Sequence, residues 1–115
     1  KRRRGSLQSK QFTIAKGKER HHMPSYKSYE GTGLNKNRGG AIEMDIEDHV
    51  LTGSWGNSLE AQKYRADQSK LIQQGKFKEA FNMDVNDIRS KFGNKYDSQI
   101  KEVEKYYKNA NVPGF

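Results

Sequence analysis

Apolar positions at spacings of three and four residues run through the second half of the chain and predict three helices. The helices are predicted over residues 57–75, 76–93 and 94–110. Ser58 is suited to cap the first of them, Gly75 to end it, and Asp84 is a point where the second could break in two. The apolar positions expected in the core are Leu59, Tyr64, Leu71, Ile72, Phe77, Phe81, Ile88, Phe92, Tyr96, Ile100, Val103 and Tyr107.

The first half of the chain has shorter apolar segments, which are typical of strands and loops. The stretch QFTIA at 11–15 predicts a strand, and residues 16–23 predict a second strand after a turn at Gly17. Pro24 lacks a backbone N–H and should end the pairing. Residues 25–40 are polar and rich in Gly, Asn, Lys and Ser, which predicts a long loop.

Beyond this loop, residues 40–45 alternate between apolar and polar as a half-buried strand does. A short helix is predicted from Asp45 to about Gly53, with Val50 and Leu51 facing inward and His49 facing away. The expected fold class is therefore α+β. A small strand–loop–strand–helix unit precedes a mostly helical half.

Length and composition favour one modest domain, because the chain has 115 residues and only 31% of them are hydrophobic. We expect a flexible basic linker at 1–10 and a single domain at 11–115, divided into a strand-containing part at 11–55 and a helical extension at 56–115. The absence of cysteine excludes disulfides and thiolate zinc sites. The sequence has neither an apolar run of membrane-span length nor the hydrophobic region of a signal peptide.

The net charge of +8 is concentrated in the first part of the chain. Residues 1–40 carry eleven Lys or Arg against two Glu, a balance of +9, whereas residues 41–115 have a balance of −1. A one-sided basic surface attracts polyanions, of which nucleic acid is the usual one. The charge distribution therefore favours nucleic acid as the partner.

The chain has three histidines, and two of them are adjacent: His21 and His22. Neighbouring residues on a strand point to opposite sides, so one imidazole could face a metal and the other a substrate. His49 lies on the predicted short helix, which could fold back onto the strand that carries the pair. Two imidazoles with open positions suit a divalent ion that must also hold water and phosphate.

The segment RHHMP at a strand end, followed by a polar loop, a strand and a helix with DH, resembles the His-Me finger superfamily (HNH/endonuclease VII). The likeness is closest to its doubled-histidine nuclease toxin domains, of the colicin-like and polymorphic or contact-dependent toxin type, and it covers about residues 12–55. The resemblance implies a ββα-metal fold in which His21 and His49 bind a metal and His22 is the general base.

Two positions of the family pattern have no clear counterpart here. Many members place another His or Asn one helical turn after the helix histidine, where this chain has Gly53. Water, Asp45 or Asp48 could complete the metal shell instead. The family's Asn, which orients the base, has two candidates in this chain, Asn35 and Asn37.

The resemblance implies a metal-dependent endonuclease that hydrolyses phosphodiester bonds, with DNA favoured over RNA. The cofactor would be one divalent ion: Mg, Mn, Zn or Ni. Lys18, Arg20 and Arg38 are expected to bind flanking phosphates, with Arg65 as a weaker candidate. Such a domain would be delivered as part of a larger secreted toxin, act in the target-cell cytoplasm and be neutralised by an acidic immunity protein.

Other interpretations remain open. The chain could be a metal-independent ribonuclease toxin in which His21 and His22 share acid and base roles, a basic nucleic-acid-binding module without catalysis, or a helical interaction domain. Trp55 is expected to be a core anchor rather than a base-stacking platform. The acidic residues Asp45, Glu47 and Asp48 are expected to provide favourable charge at a helix start rather than to bind metal.

Overall fold

The computed structural model describes residues 14–30 and 39–115. These residues form two strands and five helices: β1 (Lys18–His22), α1 (Tyr26–Tyr29), β2 (Ala41–Asp45), α2 (Ile46–His49), α3 (Leu59–Gln73), α4 (Phe77–Phe92) and α5 (Asp97–Asn109). The mixture of helix and strand confirms the α+β class. The expected linker at 1–10 lies outside the described residues, and so do Asn35, Asn37 and Arg38.

The two strands pair antiparallel, with Lys18 opposite Asp45 and His22 opposite Ala41. The strand predicted over 16–23 is confirmed as β1, and among the described residues its partner is β2. Ile14 and Ala15 lie in no strand, and 11–13 are outside the described residues. This partner was not predicted from neighbouring residues, because β2 comes after residues 25–40 in the chain.

Helix α5 covers the edge of β2 that does not pair with β1. Without α5, backbone N–H and C=O groups at this edge would lack partners. The Gln99 side chain mimics a neighbouring strand, since its amide oxygen accepts from Glu43 N at 2.8 Å and its nitrogen donates to Glu43 O at 3.0 Å. The Tyr107 hydroxyl accepts from Gly40 N and donates to Met23 O, both at 2.7 Å. This hydroxyl therefore joins the chain after the histidine pair to the start of β2.

The hydrophobic core lies between the sheet and the helices α4 and α5. Its buried members are Met23, Ile42, Met44, Phe77, Phe81, Val85, Ile88, Tyr96, Ile100, Val103 and Tyr107. The apolar stripes predicted for the last two helices are thus largely confirmed. Helix α4 continues through Asp84 without the break that the sequence allowed. No helix among the described residues has the length and apolar character needed to cross a membrane.

The segment around α2 and the start of α3 departs most from expectation. Helix α2 ends at His49 instead of near Gly53, and Val50 and Leu51, predicted to face inward, are exposed. Ser58 caps α3 as predicted, because its Oγ accepts from Ala61 N at 3.0 Å. Trp55 and Leu59 were also expected in the core, but they are 47% and 81% exposed.

Residues 25–30 also differ from the predicted loop, because they include the one-turn helix α1. Helix α1 packs on α3, and Ser25 Oγ donates to Gln68 Oε1 at 3.4 Å. Gln68 is fully buried and its Nε2 donates to Ala80 O at 3.1 Å. A buried polar residue therefore joins α3 to α4, although the sequence predicted an apolar stripe on α3.

Candidate active site

His21 and His49 meet although they are 28 positions apart in the chain. Side chains alternate along β1, so Glu19 and His21 share one face of the strand. Helix α2 follows β2 without a connecting loop, and this turns His49 back over that face of β1. The two imidazole rings lie edge to face, with centroids 5.2 Å apart and planes at 71°. The predicted convergence of these two histidines is therefore present.

His21 is almost completely buried, with 2% of its surface exposed, and its Nε2 has no hydrogen-bond partner among the described residues. Burial, together with the smaller effects of the charges of His49, His22 and Lys91, lowers the pKa of His21 to about 3. His21 is consequently neutral at physiological pH. A neutral imidazole with a free nitrogen is the form that binds a metal ion.

Glu19 holds the ring of His49, an interaction that the sequence reasoning missed. Its Oε1 lies 2.6 Å from His49 Nδ1. An ionised carboxylate can only accept a hydrogen bond, so the proton sits on Nδ1 and leaves Nε2 with a lone pair in the neutral ring. This carboxylate–histidine pair is the arrangement commonly found behind metal-binding histidines. The available signal was the spacing of Glu19 and His21, two residues apart on a strand.

His22 points to the opposite side of β1 from His21, as strand alternation requires, and is half-buried. Lys18 and Arg20 share this side of the strand by the same alternation. The predicted general base thus lies beside two cations that were predicted to bind phosphate. Its role as a base stays a prediction.

The predicted phosphate-binding residue Lys18 is engaged within the protein. Its ammonium group forms an ion pair with Asp45 and Lys95 binds the same carboxylate, with Nζ 2.8 Å from Asp45 Oδ2. Hydrogen bonds from Lys18 and Lys95 lower the pKa of Asp45 to about 2. A phosphate contact by Lys18 stays a prediction, and it would require sharing this lysine with Asp45.

The acidic residues at the start of α2 contact basic and phenolic side chains. Asp45 occupies the N-cap position, but its side chain makes no cap hydrogen bond. Asp48 Oδ2 accepts from Lys95 Nζ and from the Tyr96 hydroxyl, both at 2.6 Å. These hydrogen bonds lower the pKa of Asp48. Among residues 14–30 and 39–115 there is no group of three His, Asp or Glu side chains placed to hold a metal.

Gly53, where the family pattern has a further ligand, lies against Tyr64 of α3. A Cβ at this position would be 2.6 Å from Tyr64 Cε2, so a side chain would require Tyr64 to move. The Gly53 N–H donates to Asp87 Oδ2 at 2.8 Å. The glycine therefore permits a close contact between the segment after α2 and the two long helices α3 and α4.

Arg65, the weaker phosphate candidate, anchors the segment after α2 through its guanidinium. Its Nη1 donates to Ser54 O and Gly56 O, both at 2.7 Å. Lys91 of α4 donates to Leu51 O at 2.7 Å and forms an ion pair with Asp87. The part of the chain that follows His49 is thus fixed by side chains from α3 and α4.

Comparison with known proteins identified no relative of this chain. No protein-family model matches the chain, and no curated protein or solved structure matches it. The function is therefore inferred from the residues and their geometry.

Proposed function

We propose that the protein is a metal-dependent endonuclease that hydrolyses phosphodiester bonds. The observation that carries this proposal is the contact between the His21 and His49 rings, 5.2 Å apart, with a buried and unpartnered Nε2 on His21. The sequence β1–β2–α2, with one histidine on the first strand and one on the helix, agrees with a ββα-metal finger. We propose that β1, β2 and α2 form such a finger.

The donor set fits a divalent ion of the borderline type. His21 and His49 would hold the ion through imidazole nitrogens, which suit Zn and Ni, whereas Mg and Mn prefer oxygen ligands. Glu19 fixes the ring and tautomer of His49 through the 2.6 Å contact. When bound, a divalent ion supplies Lewis-acid stabilisation of negative charge on phosphate oxygens.

His22 supplies the proton-transfer step in this proposal. A neutral imidazole accepts a proton from a water molecule, whose oxygen attacks phosphorus as the bond from phosphorus to the leaving ester oxygen breaks. The leaving oxygen then takes a proton from solvent water. The position of His22 on the face of β1 away from His21 keeps the base separate from the ligand. Lys18 and Arg20 on the same face, and Arg38 beyond the described residues, would bind the flanking phosphates.

The charge distribution supports nucleic acid as the substrate, since the first 40 residues carry a balance of +9. DNA is the favoured form. The resemblance to toxin domains adds a biological setting to the proposal. The domain would be delivered within a larger secreted protein, act in the target-cell cytoplasm and be neutralised by an acidic immunity protein.

The burial of His21 argues against the metal-independent ribonuclease. Such an enzyme would need both His21 and His22 to exchange protons with one substrate. His21 is 2% exposed, and its pKa, lowered to about 3, is far from the range suited to general acid–base work at neutral pH. The neutral, inward-facing ring fits the role of a ligand better.

A cleavage assay tests the proposal. Plasmid DNA and total RNA are incubated with the full chain in magnesium, manganese, zinc or nickel, and again in EDTA, alongside His22→Ala. Lys101→Ala, an exposed change on α5, is the control. We expect metal-dependent cleavage by the natural chain and the control, and its loss in His22→Ala. Cleavage that persists in EDTA, or equal cleavage by His22→Ala, would contradict the mechanism.

A further inference from the structure

Large hydrophobic side chains are exposed in one stretch of the described chain. The five that stand out are Ile46, Val50, Leu51, Trp55 and Leu59. All of them fall between the start of α2 and the start of α3. Trp55 is notable among them because a tryptophan has the largest apolar area to hide, and yet 47% of it faces solvent.

The backbone around Trp55 is held in place on both sides. Arg65 binds the carbonyl oxygens of Ser54 and Gly56, which are the two residues next to Trp55. The Trp55 N–H donates to Thr52 O at 3.2 Å. These hydrogen bonds fix the backbone at Trp55, from which the exposed side chain extends. A rigid aromatic group on the surface loses little entropy when it binds a partner.

The fixed loop begins at the proposed active site. Thr52 donates to His49 O through both its N–H, at 3.1 Å, and its Oγ1, at 2.8 Å. Lys91 of α4 donates to Leu51 O at 2.7 Å and so holds the same loop. Five residues separate His49 from Trp55, so the Cα atoms of the two residues are at most about 22 Å apart. A nucleic acid bound at the histidines can reach Trp55.

Residues 45–60 contain four carboxylates and no Lys or Arg, so the positive charge beside Trp55 comes from Arg65 of α3. Arg65 lies under the loop, and among the described residues no carboxylate is within ion-pairing distance of its guanidinium. Its Nη1 contacts are backbone carbonyls. The positive charge therefore remains available to a phosphate near the tryptophan. Every nucleobase has a π-face that can stack on an aromatic ring, whatever its identity.

We propose that Trp55, on the segment that follows the histidine-bearing helix α2, is a stacking platform for an unpaired base of the nucleic-acid substrate. This inference rests on the proposed nuclease function and extends it to the choice of substrate: the enzyme would favour nucleic acid with accessible bases, such as single strands, frayed ends or distorted duplexes. Stacking of this kind is largely independent of sequence.

Trp55 is the only tryptophan in the chain, so its fluorescence reports this position alone. A fluorophore-labelled oligo(dT) is titrated with the full chain in EDTA, which keeps the oligonucleotide intact under the proposed mechanism. Binding is followed by anisotropy, and an unlabelled oligo(dT) titration follows tryptophan emission. Three variants are compared with the natural chain: Trp55→Ala, Trp55→Phe and Leu59→Ala. Leu59→Ala is the matched control, because it removes an exposed apolar side chain without a π-face.

We expect the oligonucleotide to quench Trp55 emission and Trp55→Ala to weaken binding about 5- to 150-fold, the range measured for loss of one stacked base. Trp55→Phe should retain most of the affinity, and Leu59→Ala should bind like the natural chain. Circular dichroism of each variant checks folding. If Trp55→Ala unfolds, quenching in the natural chain and the affinity of Trp55→Phe decide the matter.

Unchanged emission on binding, or equal losses in Trp55→Ala and Leu59→Ala, would overturn the stacking platform. So would a natural chain that self-associates in sedimentation while Trp55→Ala stays monomeric, since the apolar stretch would then be a protein interface. The nuclease assay separates the two proposals. Quenching without metal-dependent cleavage removes the proposed function alone, whereas cleavage with unaltered binding by Trp55→Ala removes the stacking platform alone.

Discussion

Asp84 is a carboxyl group buried in the middle of α4, with 1% of its surface exposed. Its Oδ1 accepts from the Tyr64 hydroxyl at 2.7 Å, and its Oδ2 has no hydrogen-bond partner among the described residues. Burial raises the pKa of Asp84 to about 7, although the hydrogen bond from the Tyr64 hydroxyl favours the ionised form. We therefore predict that ionisation of this one group weakens the fold as the pH rises.

The magnitude follows from linkage between protonation and folding. The pKa of Asp84 is 3.8 as an ordinary carboxyl and about 7 in the folded protein. At about 1.36 kcal/mol per pKa unit, the difference is about 4 kcal/mol. A raised pKa means that the folded state holds the proton more tightly than the unfolded state. This stabilisation is complete below about pH 4 and is lost as the pH rises to about 7.

Asp84→Asn removes the titration while keeping the shape of the side chain. We expect the free energy of unfolding of the variant, relative to the natural chain, to increase by about 4 kcal/mol between about pH 4 and pH 8. Urea denaturation followed by circular dichroism at a series of pH values measures it. The difference between the two proteins isolates Asp84 from the opposite trend of Asp45, whose pKa is lowered to about 2.

Asp67→Asn is the matched control, since Asp67 is an exposed carboxylate on α3 that pairs with Lys63. Removal of such a surface pair should change the unfolding free energy by less than about 1 kcal/mol at any pH. A difference between Asp84→Asn and the natural chain that stays flat across the range would refute the reasoning. It would mean that Asp84 has an ordinary pKa in the folded protein.

Three further changes test individual contacts. Gly40→Ala should lower the unfolding free energy by about 1–3 kcal/mol in urea denaturation, because its Cβ would lie 2.6 Å from Val103 Cγ1; unchanged stability would contradict the contact. Ser58→Ala should cost about 1 kcal/mol through loss of the α3 cap, and Ser58→Gly less, in the same assay. Glu19→Gln should weaken divalent-metal binding about 10- to 100-fold in calorimetry, because His49 loses its carboxylate partner; equal affinity would show that Glu19 does not support the ligand.

The sequence was most informative where local chemistry decides the structure. Apolar spacing of three and four residues predicted α4 and α5, and Ser58 marked the start of α3, because helix formation and capping depend on residues close in the chain. The strand β1 and the ending of its pairing near Pro24 were predicted for the same reason. The meeting of His21 and His49 was predicted from the short helix folding back onto the strand that carries the pair, and the family resemblance added the role of metal ligand.

The features that were mispredicted depend on distant contacts. Trp55 was expected in the core because of its size, but Arg65 of α3 holds the loop in a position that leaves the ring exposed. The partner of β1 could not be deduced locally, since 18 residues separate the end of β1 from the start of β2. Gln99 is an ordinary polar residue in sequence, and only the folded chain shows it completing the edge of β2.

The central claim is that His21 and His49 together bind one divalent ion. Calorimetric titration of zinc, nickel and manganese into the full chain, His21→Ala, His49→Ala and the double variant tests it directly. The account predicts one ion per chain for at least one of these metals and a similar large loss of affinity in each single variant. The double variant should lose little more, because either change breaks the same site. A single variant that binds the metal as tightly as the natural chain does, or a natural chain that binds none of these metals, would contradict the account.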